Sequence, residues 1–267
     1  MRAFLSVFRL RLFVGLQYRS AALAGIATQF FFGAMTIMVF EAFYANVSNE
    51  PSITLSQLTI YIWLKQAFLA FIALWIRDNE LFQLITTGNI AYELCRPTGL
   101  YGLWYAKLTA QRLSNAALRC FPVLIVAFVL PQPYRLTLPP DLTSLVLFAI
   151  ALLFGLMLLV SISMLLYISV FVTMSPVGSL LIFAVAGEFL AGMVIPVPLM
   201  PHWLQTVVYA LPFHYTADFP FRVYSGHIPA NEALIGIIVQ LAWLVVLVLL
   251  GKKAMNGALR KVVVQGG

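Results

Sequence analysis

Residues 142–173 run without one charged side chain, a stretch longer than a bilayer crossing requires. A span takes about 20 apolar residues, and inside hydrocarbon every backbone N–H and C=O must be satisfied within the chain, so an unbroken run of this length reads as a helix. Five further apolar runs lie at 21–44, 58–76, 116–130, 177–195 and 233–250. The chain is 62% hydrophobic and 9% charged, well above the ~45–50% apolar share of soluble domains. The expectation is one all-α, polytopic membrane domain over residues 1–267 with six transmembrane helices. The run at 116–130 is short, carries Arg119 near one end and contains Pro122, so it is expected to continue a helix that begins in the polar segment before it. The run at 142–173 has residues to spare for tilting or for projecting from the bilayer.

Arg2, Arg9, Arg11 and Arg19 are spread over a long pre-segment and no small-residue cleavage site follows, so no signal peptide is expected and the first run serves as its own anchor. With alternating spans, thirteen of the sixteen Lys and Arg residues fall on one side, Arg135 and Arg222 on the other, and Lys65 within a span. The positive-inside rule then places both termini in the cytoplasm of a cell membrane, either plasma or bacterial inner membrane. The net charge of +7 is a topology signal on this view, and no nucleic-acid partner is expected. Cys95 and Cys120 fall on the reducing side, have no nearby histidines, and suggest neither a disulfide nor a zinc site. The tail 262–267 is short and expected to be mobile.

Two segments break the pattern of spans. In the last third, Gly187-Glu188-Phe189-Leu190-Ala191-Gly192-Met193-Val194-Ile195-Pro196 ends an apolar run, Pro201-His202-Trp203-Leu204 forms a short amphipathic turn, and Leu211-Pro212 stops it. Helix-breaking backbone at membrane depth needs cover from protein or from a water-filled cavity, so 196–230 is expected to be a re-entrant cap at the outer side. The second segment, 77–113, is the one long cytoplasmic loop, and its residues predict structure. Leu81, Leu84, Ile85 and Gly88 keep helical spacing; Asn89 is placed to cap a short helix over 90–95; and Arg96-Pro97 ends it, because the residue before proline is pushed out of the helical region.

The cytoplasmic Gly88-Asn89-Ile90-Ala91-Tyr92-Glu93-Leu94-Cys95-Arg96-Pro97, the six spans, and the Gly192, Pro196, Pro201-His202-Trp203-Leu204 and Leu211-Pro212 cap together resemble the permease subunit of type-2 exporter-class ABC transporters, over nearly the whole chain. The resemblance implies a pathway formed by two permease subunits, identical or related, driven by a separate cytoplasmic ABC ATPase that binds ATP and Mg. It also implies a coupling helix in the loop between spans two and three, with Gly88, Ile90, Leu94, Arg96 and Pro97 at the ATPase contact. Gly192, Pro196, Pro201, Trp203 and Pro212 carry the cap. Ile90 and Leu94, four apart on a helix, are the expected apolar contact surface, and the competing expectation is an interfacial helix with that side in lipid. Residues 1–20 resemble the family's interfacial gating helix, against the alternative that their arginines merely snorkel and enforce topology. A non-transporting scaffold or a passive channel is the other reading of the whole chain.

Catalytic chemistry is missing from the sequence. The only Gly-Lys, Gly251-Lys252, lacks the upstream glycine and the following Ser or Thr of a phosphate-binding loop, so no ATP hydrolysis and no cofactor are expected of this chain. An intramembrane serine protease would pair a serine with a histidine inside the spans, yet His202, His214 and His227 all fall in the cap region. With Asp218 they are read as interfacial polar groups and not as metal ligands. Ionisable groups inside spans cost roughly 2.5–3.5 kcal/mol on insertion scales and mark function or pairing. Glu41 sits near the outer end of its span, whereas Lys65, with neighbouring Gln66, and Glu188 lie deeper and are assigned to the pathway. Lys65 and Glu188 each lie seven residues inside the outer end of their spans, about 10 Å deep, so an ion pair is one expectation and a snorkelling lysine with a protonated or hydroxyl-bonded acid is the other. Gly187 and Ala191 form a small-residue pair that permits close helix approach.

Overall fold

The computed structural model describes residues 2–17, 19–45 and 51–260; Lys261 and the tail 262–267 lie outside them. Among the described residues there are helices and turns but no strand. In chain order the helices are α1 (Arg2–Gly15), α2 (Arg19–Tyr44), α3 (Leu55–Ala67), α4 (Leu69–Ile72), α5 (Asn79–Thr86), α6 (Ile90–Leu94), α7 (Leu100–Val129), α8 (Leu142–Thr173), α9 (Pro176–Leu190), α10 (His202–Tyr209), α11 (Asp218–Tyr224) and α12 (Ala230–Leu259). Stretches of α2, α7, α8 and α12 are long and apolar enough to cross a membrane.

The other two expected spans are shorter or interrupted. The run at 58–76 is divided, because α3 stops at Phe68 (φ −98°, ψ 12°), α4 adds one turn, and Ala73 turns extended. The run at 177–195 ends early, with α9 closing at Leu190. Hydrophobicity alone could not show either break, since the residues stay apolar through both. The loop expected over 77–113 is also shorter. Its second half, from Leu100, is the opening of the 30-residue α7, which continues through Pro122.

Local chemistry sets the helix ends. Thr54 and Gln57 form a reciprocal capping box at the start of α3. Asp141 accepts from the Ser144 amide (2.6 Å) at α8, and Asp78 from the Glu80 amide (2.9 Å) at α5. Asn89, the residue before α6, makes no side-chain cap bond, contrary to the sequence expectation, because Gly88 (φ +75°) already turns the chain there and Asn89 itself is helical.

Packing relies on small residues. Without a hydrophobic drive between helices in lipid, close van der Waals fit has to hold them. α1 runs alongside the first half of α7 in the same direction, with Gly102 facing Phe4 and Gly15 facing Ser114. α2 follows α7 onward, from Gly25 against Arg119 to Glu41, which accepts from the Tyr134 hydroxyl at 2.6 Å. α8 and α12 also run together, joined where the Gln240 side chain donates to Ala151 O at 2.8 Å. Trp63, Trp104, Tyr61, Tyr167 and Phe221 fill the interior between them.

Candidate functional site

A cavity of about 470 Å³ opens between α2, α3, α7 and α9. Lys65, Gln66 and Glu188, the three intramembrane polar residues singled out in the sequence, all line it, and the structure adds Gln29, Thr28, Thr36 and Arg119. Phe32, Leu69, Trp75 and Met193 supply its apolar wall. Lys65 Nζ donates to Met193 O at 3.0 Å. The Glu188 carboxylate faces the backbone amides of Leu74 and Trp75, and its Oε1 has no hydrogen-bond partner among the described residues. The expected Lys65–Glu188 ion pair is absent from the ion pairs of the described residues. The lysine has a carbonyl to satisfy it, so the two charges share a cavity without touching.

Gln29 is the most exacting member of this group. It is 3% exposed, and neither atom of its amide has a partner among the described residues. Thr28 and Thr36, by contrast, bond back to Ala24 O and Phe32 O at 2.9 and 2.6 Å. Gly25 leaves the space that the Arg119 guanidinium occupies, since a Cβ there would stand 2.9 Å from its Cζ; Gly33 does the same for Trp63 at 2.8 Å. Sequence reasoning passes over Gln29 and reads Arg119 only as a topology marker and as the polar end of a short span. A signal existed: Gly25, Gln29 and Gly33 recur every four residues and so share one face of a helix.

Beside the cavity lies the cap region. Gly192 takes φ +78°, and a Cβ there would meet the Tyr61 hydroxyl at 2.7 Å. The Asp218 carboxylate is fully buried. It accepts from the Val197 amide (3.2 Å), from Arg222 Nη1 (3.3 Å), and from the Tyr61 hydroxyl (3.2 Å), which also lies 3.0 Å from Gly192 O. Arg222 continues to the Tyr209 hydroxyl at 3.0 Å. A buried charge is tolerable only when paired and hydrogen-bonded, and Asp218 has both. Pro196 and Pro212 are buried, Pro201 precedes α10, and Trp203 projects from α10 with 70% of its surface exposed. The turn at His214–Thr216 sinks between helices. Its Tyr215 and Thr216 carbonyls face Gly155 of α8, and Gln240 Nε2 donates to Tyr215 O at 2.9 Å. His202, His214, His227 and Asp218 form no metal-binding group among the described residues.

At the opposite end, α5 and α6 fold against the bundle. Ile90 is fully buried, which corrects its place on an exposed contact face; Tyr92 (75% exposed) and Leu94 (42%) are what α6 presents. Arg96 pairs with Glu93 at 3.2 Å, and Pro97 is exposed beyond it. Glu80 of α5 joins three elements, because Arg11 of α1 and Lys107 of α7 (3.3 Å) both pair with it. Burial pushes its carboxyl up, but those two cations outweigh burial and hold it below the ordinary 4.5. Arg112, five residues further along α7, is buried and donates to Ala73 O (2.7 Å), Ile76 O (3.1 Å), Phe71 O (3.5 Å) and the Ser163 hydroxyl (3.2 Å). It satisfies the carbonyls freed where the α4 helix unwinds.

Several helices able to cross a membrane, two interrupted ones beside them and a polar cavity at their junction define a multi-pass membrane protein. Residues 30–266 match the family described as ABC-2 family transporter protein, and the chain belongs to that family. The match leaves out α1 and the opening turns of α2. No curated protein and no solved structure matches the chain.

Proposed function

We propose that this chain is the permease subunit of an ATP-driven exporter in the cell membrane, pairing with an identical or related permease and with two copies of a cytoplasmic ATPase that binds ATP and Mg. In this reading α3–α4 and α9 are the second and fifth of six spans, both termini are cytoplasmic, 196–230 is the outer cap, and the polar cavity is one subunit's share of the pathway. The observation that carries the proposal is the continuity of α7. Lys107 fastens it to α5, Arg112 fastens it to the unwound end of the second span, and Arg119 enters the cavity. From Lys107 to Arg119 is about 18 Å of one helix. A stiff element held at both ends is what a rigid-body push requires.

Closure of the ATPase pair would press on Tyr92, Leu94 and their neighbours Gly88, Arg96 and Pro97. The Glu80 junction passes that displacement to α1 and α7. Phe68 and Ala73, where the second span is already broken, are the points at which it can flex, and the cavity alternates between the two sides beneath the cap. With two cations, a carboxylate, an amide unpartnered among the described residues and an apolar wall, the cavity suits a guest with both polar and apolar faces. A scaffold or passive channel would have no use for the α5–α7 junction.

Affinity purification of the tagged chain in mild detergent, followed by mass spectrometry, tests the assignment. The expected result is stoichiometric recovery of a cytoplasmic subunit with a phosphate-binding loop, and no ATP hydrolysis by the isolated chain. A stable, active preparation with no ATPase present would overturn it.

A further inference from the structure

We propose that the crevice between the first turns of α7 and the last turns of α12 binds one anionic phospholipid, its acyl chain lying toward α8 and its phosphate at Lys252. Two adjoining cavities, about 320 and 340 Å³, share Tyr101, Gly102 and Lys252 in their walls and so form one continuous crevice. The inner part is bounded by Ala106, Met157, Leu244 and Val248, and the outer part reaches Asn256. Leu244, Val248, Lys252 and Asn256 are spaced by four on α12, so a single stripe of that helix changes from apolar to polar over about 18 Å. That is the polarity profile of a lipid, with chain at one end and headgroup at the other.

Charge selects the headgroup. Lys252 and Lys253 are both exposed, and neither pairs with a carboxylate among the described residues. The one acid on α12, Glu232, lies at its other end. Basic crevices between membrane helices attract anionic headgroups, and each such cation near the surface contributes measurably to that attraction. Two glycines shape its walls by letting aromatic rings pack on them: a Cβ on Gly251 would stand 2.7 Å from the Tyr101 ring, and one on Gly102 would stand 3.1 Å from Phe4. The Tyr101 hydroxyl is buried beside Ser161, whose own hydroxyl donates to Met157 O at 2.9 Å, and among the described residues it has no partner within strict hydrogen-bond geometry. A phosphate oxygen would accept from it.

The test uses the full chain, purified in neutral detergent and delipidated, with thermal unfolding and native mass spectrometry as readouts. The probes are phosphatidylglycerol, phosphatidylcholine of identical chains, and inorganic phosphate. Phosphatidylglycerol is expected to stay bound and to raise Tm by at least about 2 °C, while the other two do not. Lys252→Gln should weaken phosphatidylglycerol about fivefold, and Ala106→Leu, which fills the inner part and alters no charge, should reduce its retention. Equal stabilisation by phosphatidylcholine, stabilisation by inorganic phosphate alone, or an unchanged preference in Lys252→Gln would each overturn the proposal. None of these outcomes bears on the transport reading.

Discussion

Asp218 and Gln29 are both buried polar side chains, and they predict opposite effects on substitution. Asp218 is fully partnered, so Asp218→Asn leaves Arg222 without its counter-charge and should cost about 3 kcal/mol or more, in line with breaking buried pairs. Thermal unfolding in detergent should show the loss, and adding Arg222→Met should return part of it. Gln29 has no partners among the described residues, and a buried unsatisfied group costs about 1–3 kcal/mol. Gln29→Leu should therefore raise Tm while lowering transport, the stability–activity trade expected where a polar group is kept for a guest. If Gln29→Leu leaves transport at the wild-type rate, the cavity is not the pathway. Gly192→Ala should destabilise for two reasons, its positive φ and the Tyr61 hydroxyl in its way. Tyr61→Phe in the same chain should relieve only the second.

At the scale of elements, the long uniform helices were legible and the interrupted ones were not. α8 and α12 follow from apolar runs preceded by an Asp cap and by a proline. The breaks at Ala73 and Leu190 are set by tertiary contacts that composition does not encode: Arg112 collects the freed carbonyls of the first, and Tyr61 and Asp218 receive the turn after the second. At α7 the sequence places a helix start in the polar segment before 116, as found, but the loop bound at 113 overruns that start because Lys107 and Arg112 look solvated. One is paired and the other is buried in carbonyls. Spacing and the family resemblance together put Ile90 and Leu94 on one contact face, yet α6 is too short for either to say which side meets the bundle. Two tests follow here. Arg112→Lys keeps the charge but not the fork, and should lower Tm and increase hydrogen exchange over 71–78. The Glu80 junction gives a pH test. Because its carboxyl is held below 4.5, its contribution is complete above that value and is lost as pH falls through the lower folded-state value. Amides of α1 should keep their protection, relative to the intrinsic exchange rate at each pH, down to about pH 4.5 and lose it below, whereas Glu80→Gln should lack that protection at neutral pH. Loss of protection already at pH 6 would mean that another contact holds α1.

For the whole molecule, the account joins an exposed α6 face to a polar cavity through α7, and the connection has meaning only if an ATPase sits on that face. Tyr92 is the side chain best placed to report it, being in the middle of α6 and 75% exposed. The direct measurement is a photo-crosslinker in place of Tyr92, activated in intact cells and followed by mass spectrometry of the adduct. The account predicts a crosslink to a cytoplasmic subunit with a phosphate-binding loop, diminished when Leu94 is changed to Asp. Crosslinking to lipid alone, with no protein adduct at Tyr92, would contradict it.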